Sequence, residues 1–209
     1  MPNPSFKLAV LISGGGTTLR NLIDRQDSGS LNATITQVIS NNPDAGGLQF
    51  AKAAGIESVV IKHRDFDSVA SFSQAMFAEI RKSKSDLVVM GGFLRRVLIP
   101  DDFQNRVINI HPSLIPAFCG KGMYGSKVHA GVIEYGCKLS GCTVHFVDDD
   151  YDHGPIIAQA TVPVLPNDSA NALAARVFEK ECELLPQTIN LLASGNVKLT
   201  GRVVRVNEP

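Results

Sequence analysis

The chain has 209 residues, with 20 Lys and Arg balanced by 20 Asp and Glu and 44% of positions hydrophobic. That length and composition exclude intrinsic disorder over most of the chain and predict one globular domain, burying roughly 70% of the surface its unfolded chain exposes. A formal net charge of zero, with no run of five like charges, removes the electrostatic footprint of a nucleic-acid binder or a membrane-surface protein, so an acidic ligand needs a local site.

No uncharged apolar run is long enough to span a bilayer, and the start MPNPSFK lacks the layout of a signal peptide. The expected location is the cytoplasm. The cysteines Cys119, Cys137, Cys142 and Cys182 include no C-x-x-C pair and read as reduced thiols, with no metal site expected.

In chain order, apolar β-branched runs at Leu8–Ile12, Thr34–Ile39, Ser58–Ile61, Leu87–Met90 and Val107–Ile110 read as strands. The first and fourth are apolar almost throughout, the mark of parallel strands covered on both faces. Helical spacing separates them, with Leu19, Leu22 and Ile23 on one face and Phe72, Met76, Phe77 and Ile80 on another. This alternation predicts an α/β fold, a doubly wound, mostly parallel sheet with helices on both faces. Farther on, Leu139–Val147 and Ile156–Val164 read as two long strands around an acidic stretch, 148–154. A helix capped by Asp168 or Ser169 then runs past Leu191 to Gly195, and 197–206 reads as a terminal strand or hairpin.

Five places carry residues suited to chemistry. The first strand runs into Ser13-Gly14-Gly15-Gly16-Thr17 and then a helix, a turn that either cradles a phosphate on free backbone amides or is a plain tight turn. It matches neither the Walker pattern nor the dinucleotide fingerprint, whose third glycine is Leu19 here. In the strand ending at His111, the period of two puts Asn109 and His111 on one face, roughly 7 Å apart at Cα, beside the strand-ending Pro112. That carboxyl edge is where open α/β sheets bind ligands. Within the acidic stretch, Asp152 precedes His153-Gly154-Pro155, a turn that would aim it inward to orient an imidazole and stabilise its protonated form. His145 shares a strand face with Thr143 and suits either a supporting role or packing. On the long helix Glu181 falls on the apolar stripe Leu173, Val177, Leu184, Thr188 and Leu191, where an acid is either ion-paired or faces a cleft.

Taken together, Leu11-Ile-Ser-Gly-Gly-Gly-Thr-Thr-Leu19, Gly91-Gly-Phe-Leu-Arg-Arg-Val-Leu98, Asn109-Ile-His-Pro-Ser-Leu-Ile-Pro116 and Gly141-Cys-Thr-Val-His-Phe-Val147 with Asp152-His-Gly-Pro155 resemble the phosphoribosylglycinamide formyltransferase family over residues 6–195. The resemblance implies formyl transfer from 10-formyltetrahydrofolate, a cosubstrate, to the amine of glycinamide ribonucleotide in purine biosynthesis, without a metal. It assigns Asn109, His111 and Asp152 to catalysis, with His145 behind them, and Gly14, Gly15, Gly16 and Thr17 to the substrate phosphate. Glu181 would meet the substrate amine, and Leu94, Arg95, Arg96 and Val97 would hold the folate through backbone groups. The segment Phe93–Leu98 is one residue longer than the commoner bacterial pattern, and Phe118–His129 is closer to plant members. Relatives that formylate methionyl-tRNA or hydrolyse formyltetrahydrofolate carry a further domain, for which this length leaves no room. The expectation is a single formyltransferase domain, 1–209, with a phosphate-binding half to about residue 105 and a folate and catalytic half beyond. Its partners would be small molecules rather than nucleic acid or membrane, and it would act as a monomer or homodimer. A nucleotide-dependent oxidoreductase is the rival enzyme class; it lacks the third glycine and the ribose-binding acid, having Gln37-Val38-Ile39 instead. A non-catalytic binding module would give Asn109 and His111 no reason to share a face.

Overall fold

A computed structural model of the chain describes residues 6–206; residues 1–5, within the start read as lacking a leader, lie outside them. The backbone gathers into two compact units that divide between Ile108 and Asn109. In the first, β1 (Lys7–Ile12), β2 (Thr34–Ser40), β3 (Glu57–Val60) and β4 (Leu87–Met90) alternate with α1 (Thr17–Asp27), α2 (Gly47–Ala53) and α3 (Val69–Lys82). β1 pairs in parallel with β2 on one side and β4 on the other, and β2 pairs in parallel with β3. After its first residue β1 is wholly buried, as is β4, which is why their sequences are apolar without alternation. Chain order reverses between β1 and β4, so the loops leaving their carboxyl ends meet at a topological switch point.

The second unit takes in most of β5 (Val107–His111), followed by α4 (Ser126–Glu134), β6 (Leu139–Phe146), β7 (Ile156–Pro163), α5 (Ala170–Ala193) and a separate hairpin of β8 (Val197–Thr200) and β9 (Val203–Val206). β6 and β7 run antiparallel. The seven-stranded, mostly parallel sheet has the order β3-β2-β1-β4-β5-β6-β7, the α/β architecture the alternation predicts.

Two helices escape the sequence reading. α2 has seven residues and α4 nine, too few for a helical period to emerge, and each contains a glycine that masks it. A Cβ at Gly131 of α4 would lie 3.4 Å from Phe118 and 3.6 Å from Met123, in ordinary van der Waals contact, so packing does not demand glycine there. The stripe on α5 also shifts. Its buried residues are Leu173, Val177, Leu185, Pro186, Thr188 and Ile189, with Leu184 and Leu191 only half-buried. Steps of four carry the buried line through position 181, so Glu181 lies at its centre. Among the described residues, no helix is long and apolar enough to cross a membrane.

Ser169 caps α5 through the Ala172 amide at 3.1 Å. Asp168 does separate work: it accepts the Leu165 amide at 2.8 Å and both terminal nitrogens of Arg176, at 2.8 and 2.9 Å. Arg176 also donates to the Pro163 carbonyl at the end of β7, tying strand to helix. The Arg176 pair and the Leu165 amide pull the Asp168 carboxyl down to about 2. A depressed acid pKa stabilises the fold above the unfolded value and loses that contribution as pH falls through the folded one. Asp168→Asn is therefore expected to melt several degrees below the parent at pH 7, with the gap closing by pH 2; calorimetry across that range checks it.

Candidate active site

The turn after β1 is built to keep main chain bare. Gly14 and Gly15 have no atom within 4 Å of where a Cβ would stand, whereas Gly16, at φ +76°, would drive one to 2.4 Å from the Cα of Gly47. A Cβ on Gly47 would in turn stand 2.7 Å from the tip of Ile12 and 3.0 Å from the Cα of Gly16. The Gly47 amide donates to the Gly14 carbonyl at 3.1 Å, so the loop after β2 buttresses the turn. α1 begins after Gly16 with no side-chain cap, leaving its first amides open for an anion at the positive end of the helix. Ser13 braces the switch point: its hydroxyl donates to Asn41 at 2.5 Å and accepts the Leu94 amide at 2.9 Å. Leu94, Arg95 and Arg96 are exposed, but Val97 is buried, and the Leu94 N–H is already taken by Ser13. The backbone contacts expected of this segment therefore fall to its remaining groups.

In the second unit Asn109, His111, His145 and Asp152 converge. His111 Nδ1 lies 3.4 Å from Asp152 Oδ2, and His145 Nε2 lies 3.8 Å from Asp152 Oδ1. Asn109 Nδ2 reaches both His145 Nε2, at 3.2 Å, and Asp152 Oδ1, at 3.4 Å. The remaining ring nitrogens are set by main chain. A carbonyl only accepts, so His145 carries a proton on Nδ1 for the Phe146 oxygen at 2.8 Å, and His111 carries one on Nε2 for the Phe118 oxygen at 2.9 Å. The Gly120 amide completes the ring by donating to Asp152 Oδ2 at 2.9 Å.

Local backbone explains the convergence. Asp152 (φ +52°) and Phe118 (φ +50°) both occupy the left-handed region, which L side chains enter only under constraint. Gly154 follows Asp152 because a Cβ there would stand 1.8 Å from the Phe146 carbonyl oxygen. On the other side, Thr143 accepts the Ile115 amide at 3.1 Å and the Gln159 amide at 2.9 Å and donates to the Ser113 carbonyl at 2.7 Å, pinning the loop that delivers Phe118.

The electrostatics reverse one expectation. A carboxylate next to His111 raises its pKa, but burial lowers it by more, so the net shift is downward and the imidazole is neutral at physiological pH. For Asp152, burial pushes the carboxyl up, but the neighbouring His145 and His111 rings and the Gly120 amide outweigh it and hold it below its ordinary value. The cluster thus pairs an ionised acid with a neutral His111, rather than with an imidazolium.

Glu181 stands outside that ring, half-buried beside the fully buried Cys142, and burial alone pushes its carboxyl up to about 7. Burial first, then Glu181, pushes the Cys142 thiol to about 12, which makes it inert. Of the supporting groups, the sequence offered no sign of the Phe118 carbonyl or the Gly120 amide, since any residue supplies these. Asn41 and Gly47 had a signal, the turn-rich stretch 41–47 directly after a strand.

The formyl transferase family profile matches residues 6–189. The chain belongs to the formyl transferase family. It is 41% identical to the chloroplastic phosphoribosylglycinamide formyltransferase of Vigna unguiculata, over 91% of this chain and 62% of that protein, so it spans less than two thirds of that relative's length. It is 38% identical to the phosphoribosylglycinamide formyltransferase of Haemophilus influenzae, over 92% of this chain and 90% of that one. Its fold is similar to the crystal structure of glycinamide ribonucleotide transformylase 1 from Symbiobacterium toebii, at a TM-score of 0.92 and 37% identity, covering 99% and 96% of the two chains.

Because its carboxyl is held near 7 in the fold, against an ordinary 4.5, Glu181 withdraws stability as pH rises between those values. Glu181→Gln is expected to gain on the parent by a few degrees in Tm between pH 5 and pH 8, the gain being largest at pH 8. A constant Tm difference across that range would contradict the burial argument.

Proposed function

We propose that this protein transfers the formyl group of 10-formyltetrahydrofolate to the amine of glycinamide ribonucleotide, a step of de novo purine biosynthesis. The observation that carries the reading is the convergence of Asn109, His111 and an ionised Asp152, in a chain of the formyl transferase family. Balanced charge favours small-molecule partners over nucleic acid or membrane, and the expected location is the cytoplasm. In this reading residues 1–209 act as one formyltransferase domain, and Gly14, Gly15, Gly16 and Thr17 take the substrate phosphate. Leu94 to Val97 serve the folate.

Formyl transfer forms a bond from the amine nitrogen to the formyl carbon and breaks the bond from that carbon to the folate nitrogen. Between the two, the formyl oxygen carries negative charge. Asn109 is the donor suited to it: one of its two amide hydrogens is spent on the long 3.4 Å contact to Asp152, the weaker of its two bonds, and is the one to re-aim. A donor in such a place is worth about 3 kcal/mol of transition-state stabilisation. The His111 Nε2–H, parked on the Phe118 carbonyl, is the second. The proton leaving the attacking amine passes to the leaving nitrogen, and His111 Nδ1, neutral and facing Asp152, is placed to carry it because the carboxylate stabilises the transient imidazolium. An amine of this type has an ordinary pKa of about 8 and must shed a proton before attack. Glu181, poised near 7, suits that task.

A spectrophotometric formyl-transfer assay with glycinamide ribonucleotide and a 10-formyl folate tests the reading; a well-folded protein without turnover contradicts it. His111→Ala and Asn109→Ala are each expected to lower turnover about a hundredfold or more while melting within a few degrees of the parent. Gly15→Val adds a side chain where the fold leaves open space. Calorimetry should therefore show weaker glycinamide ribonucleotide binding with folate binding and Tm preserved, and equal weakening of both ligands would remove the turn from the phosphate site.

A further inference from the structure

The turn that carries Asp152 is gripped from outside by the hairpin of β8 and β9, which lies beyond the residues matched by the family profile. At the hairpin tip Arg202 donates from Nη2 to the main-chain carbonyl of His153, the residue directly after Asp152. Its Nη1 lies 3.5 Å from His153 Nε2. The same ring, through Nδ1, meets Asp148 Oδ2 at 2.7 Å, and Asp148 Oδ1 accepts the Asp150 amide at 3.0 Å. Arg202, His153 and Asp148 therefore form a continuous strap across the base of the 148–154 turn. Just inside that strap, Asp152 holds a left-handed backbone, which an aspartate can adopt but which is one of several conformations open to a free turn. Gly154 wedges the turn against the Phe146 carbonyl from within, and Arg202 supplies the outer constraint.

We propose that Arg202 is a positioning residue for Asp152: by holding the His153 carbonyl, it fixes the backbone that sets Asp152 against His111 and Asn109. Its kinetic consequence rests on the formyl-transfer reading above, but its structural consequence does not. A guanidinium suits the task because its planar fork reaches a carbonyl and a ring nitrogen of one residue together, which a lysine ammonium does less well.

The test uses the full chain with Arg202→Ala, Arg202→Lys and, as a control on the same hairpin, the exposed Arg205→Ala. Steady-state kinetics are read beside the NMR titration of the His111 ring in the ligand-free protein, where Asp152, His145 and His129 are the titratable neighbours acting on His111. Arg202→Ala is expected to lower kcat about tenfold while changing the KM for glycinamide ribonucleotide by less than about twofold, since a small misplacement of a reacting group costs rate more than binding. The His111 midpoint should fall by roughly half a unit or more, because the carboxylate that raises it no longer stands at its Nδ1. Arg202→Lys should recover part of both losses, and Arg205→Ala should leave both unchanged. Parental kcat in Arg202→Ala, a kcat loss with an unmoved His111 titration, or an equal effect of Arg205→Ala each overturns the proposal. Absence of turnover in the parent would instead fail the formyl-transfer reading, and the titration would still decide the strap.

Discussion

A carboxylate taken most of the way out of water must be met by donors, and the second unit is arranged around that demand at Asp152. Its side chain is 12% exposed and has Gly120, Asn109, His111 and His145 around its two oxygens. The donors are the Asn109 amide, from β5, and the Gly120 N–H, from the loop after it, while the His111 and His145 rings stand 3.4 and 3.8 Å from the carboxylate. Remove the charge and the Asn109 and Gly120 amides lose their shared acceptor, at about 1–3 kcal/mol for each donor left unpaired. The site and the local fold are the same set of interactions.

The first unit solves a different problem with sterics. An anion site made of backbone amides needs the absence of side chains, and the contact of Gly16 with Gly47 packs two loops closely enough to present the bare turn. Gly14 and Gly15, by contrast, are not required by packing, and under the proposed function their missing side chains leave room for a ligand. Ser13 connects this turn to the loop after β4 through the Leu94 amide, coupling the segments expected to meet phosphate and folate.

What was legible in the sequence follows from which features are local. Buried parallel strands announce themselves as unbroken apolar runs, and the pairing of Asn109 with His111 needs only a period of two. Asp152 was distinguishable from its acidic neighbours because Gly154 and Pro155 fix the chain beside it, and Asp149 and Asp150 are indeed exposed. The downward shift of His111 was not legible: its sign depends on whether desolvation or the Asp152 charge is larger, and that is settled by burial, which no spacing reports. Main-chain donors and acceptors such as Gly120 and Phe118 left no residue-type signature. The short helices α2 and α4 fell below the length at which periodicity is a signal, and Arg202 meets His153 across 49 residues with nothing local to mark it.

The central physical claim is that an ionised Asp152 stands against a neutral His111 whose proton resides on Nε2. Nitrogen-15 NMR of the histidine side chains at pH 7 in the ligand-free protein measures this directly. The account predicts a protonated Nε2 and an unprotonated Nδ1 for His111, changing to the doubly protonated ring only below the ordinary histidine value. A His111 ring that is doubly protonated at pH 7, or that carries its single proton on Nδ1, would contradict it.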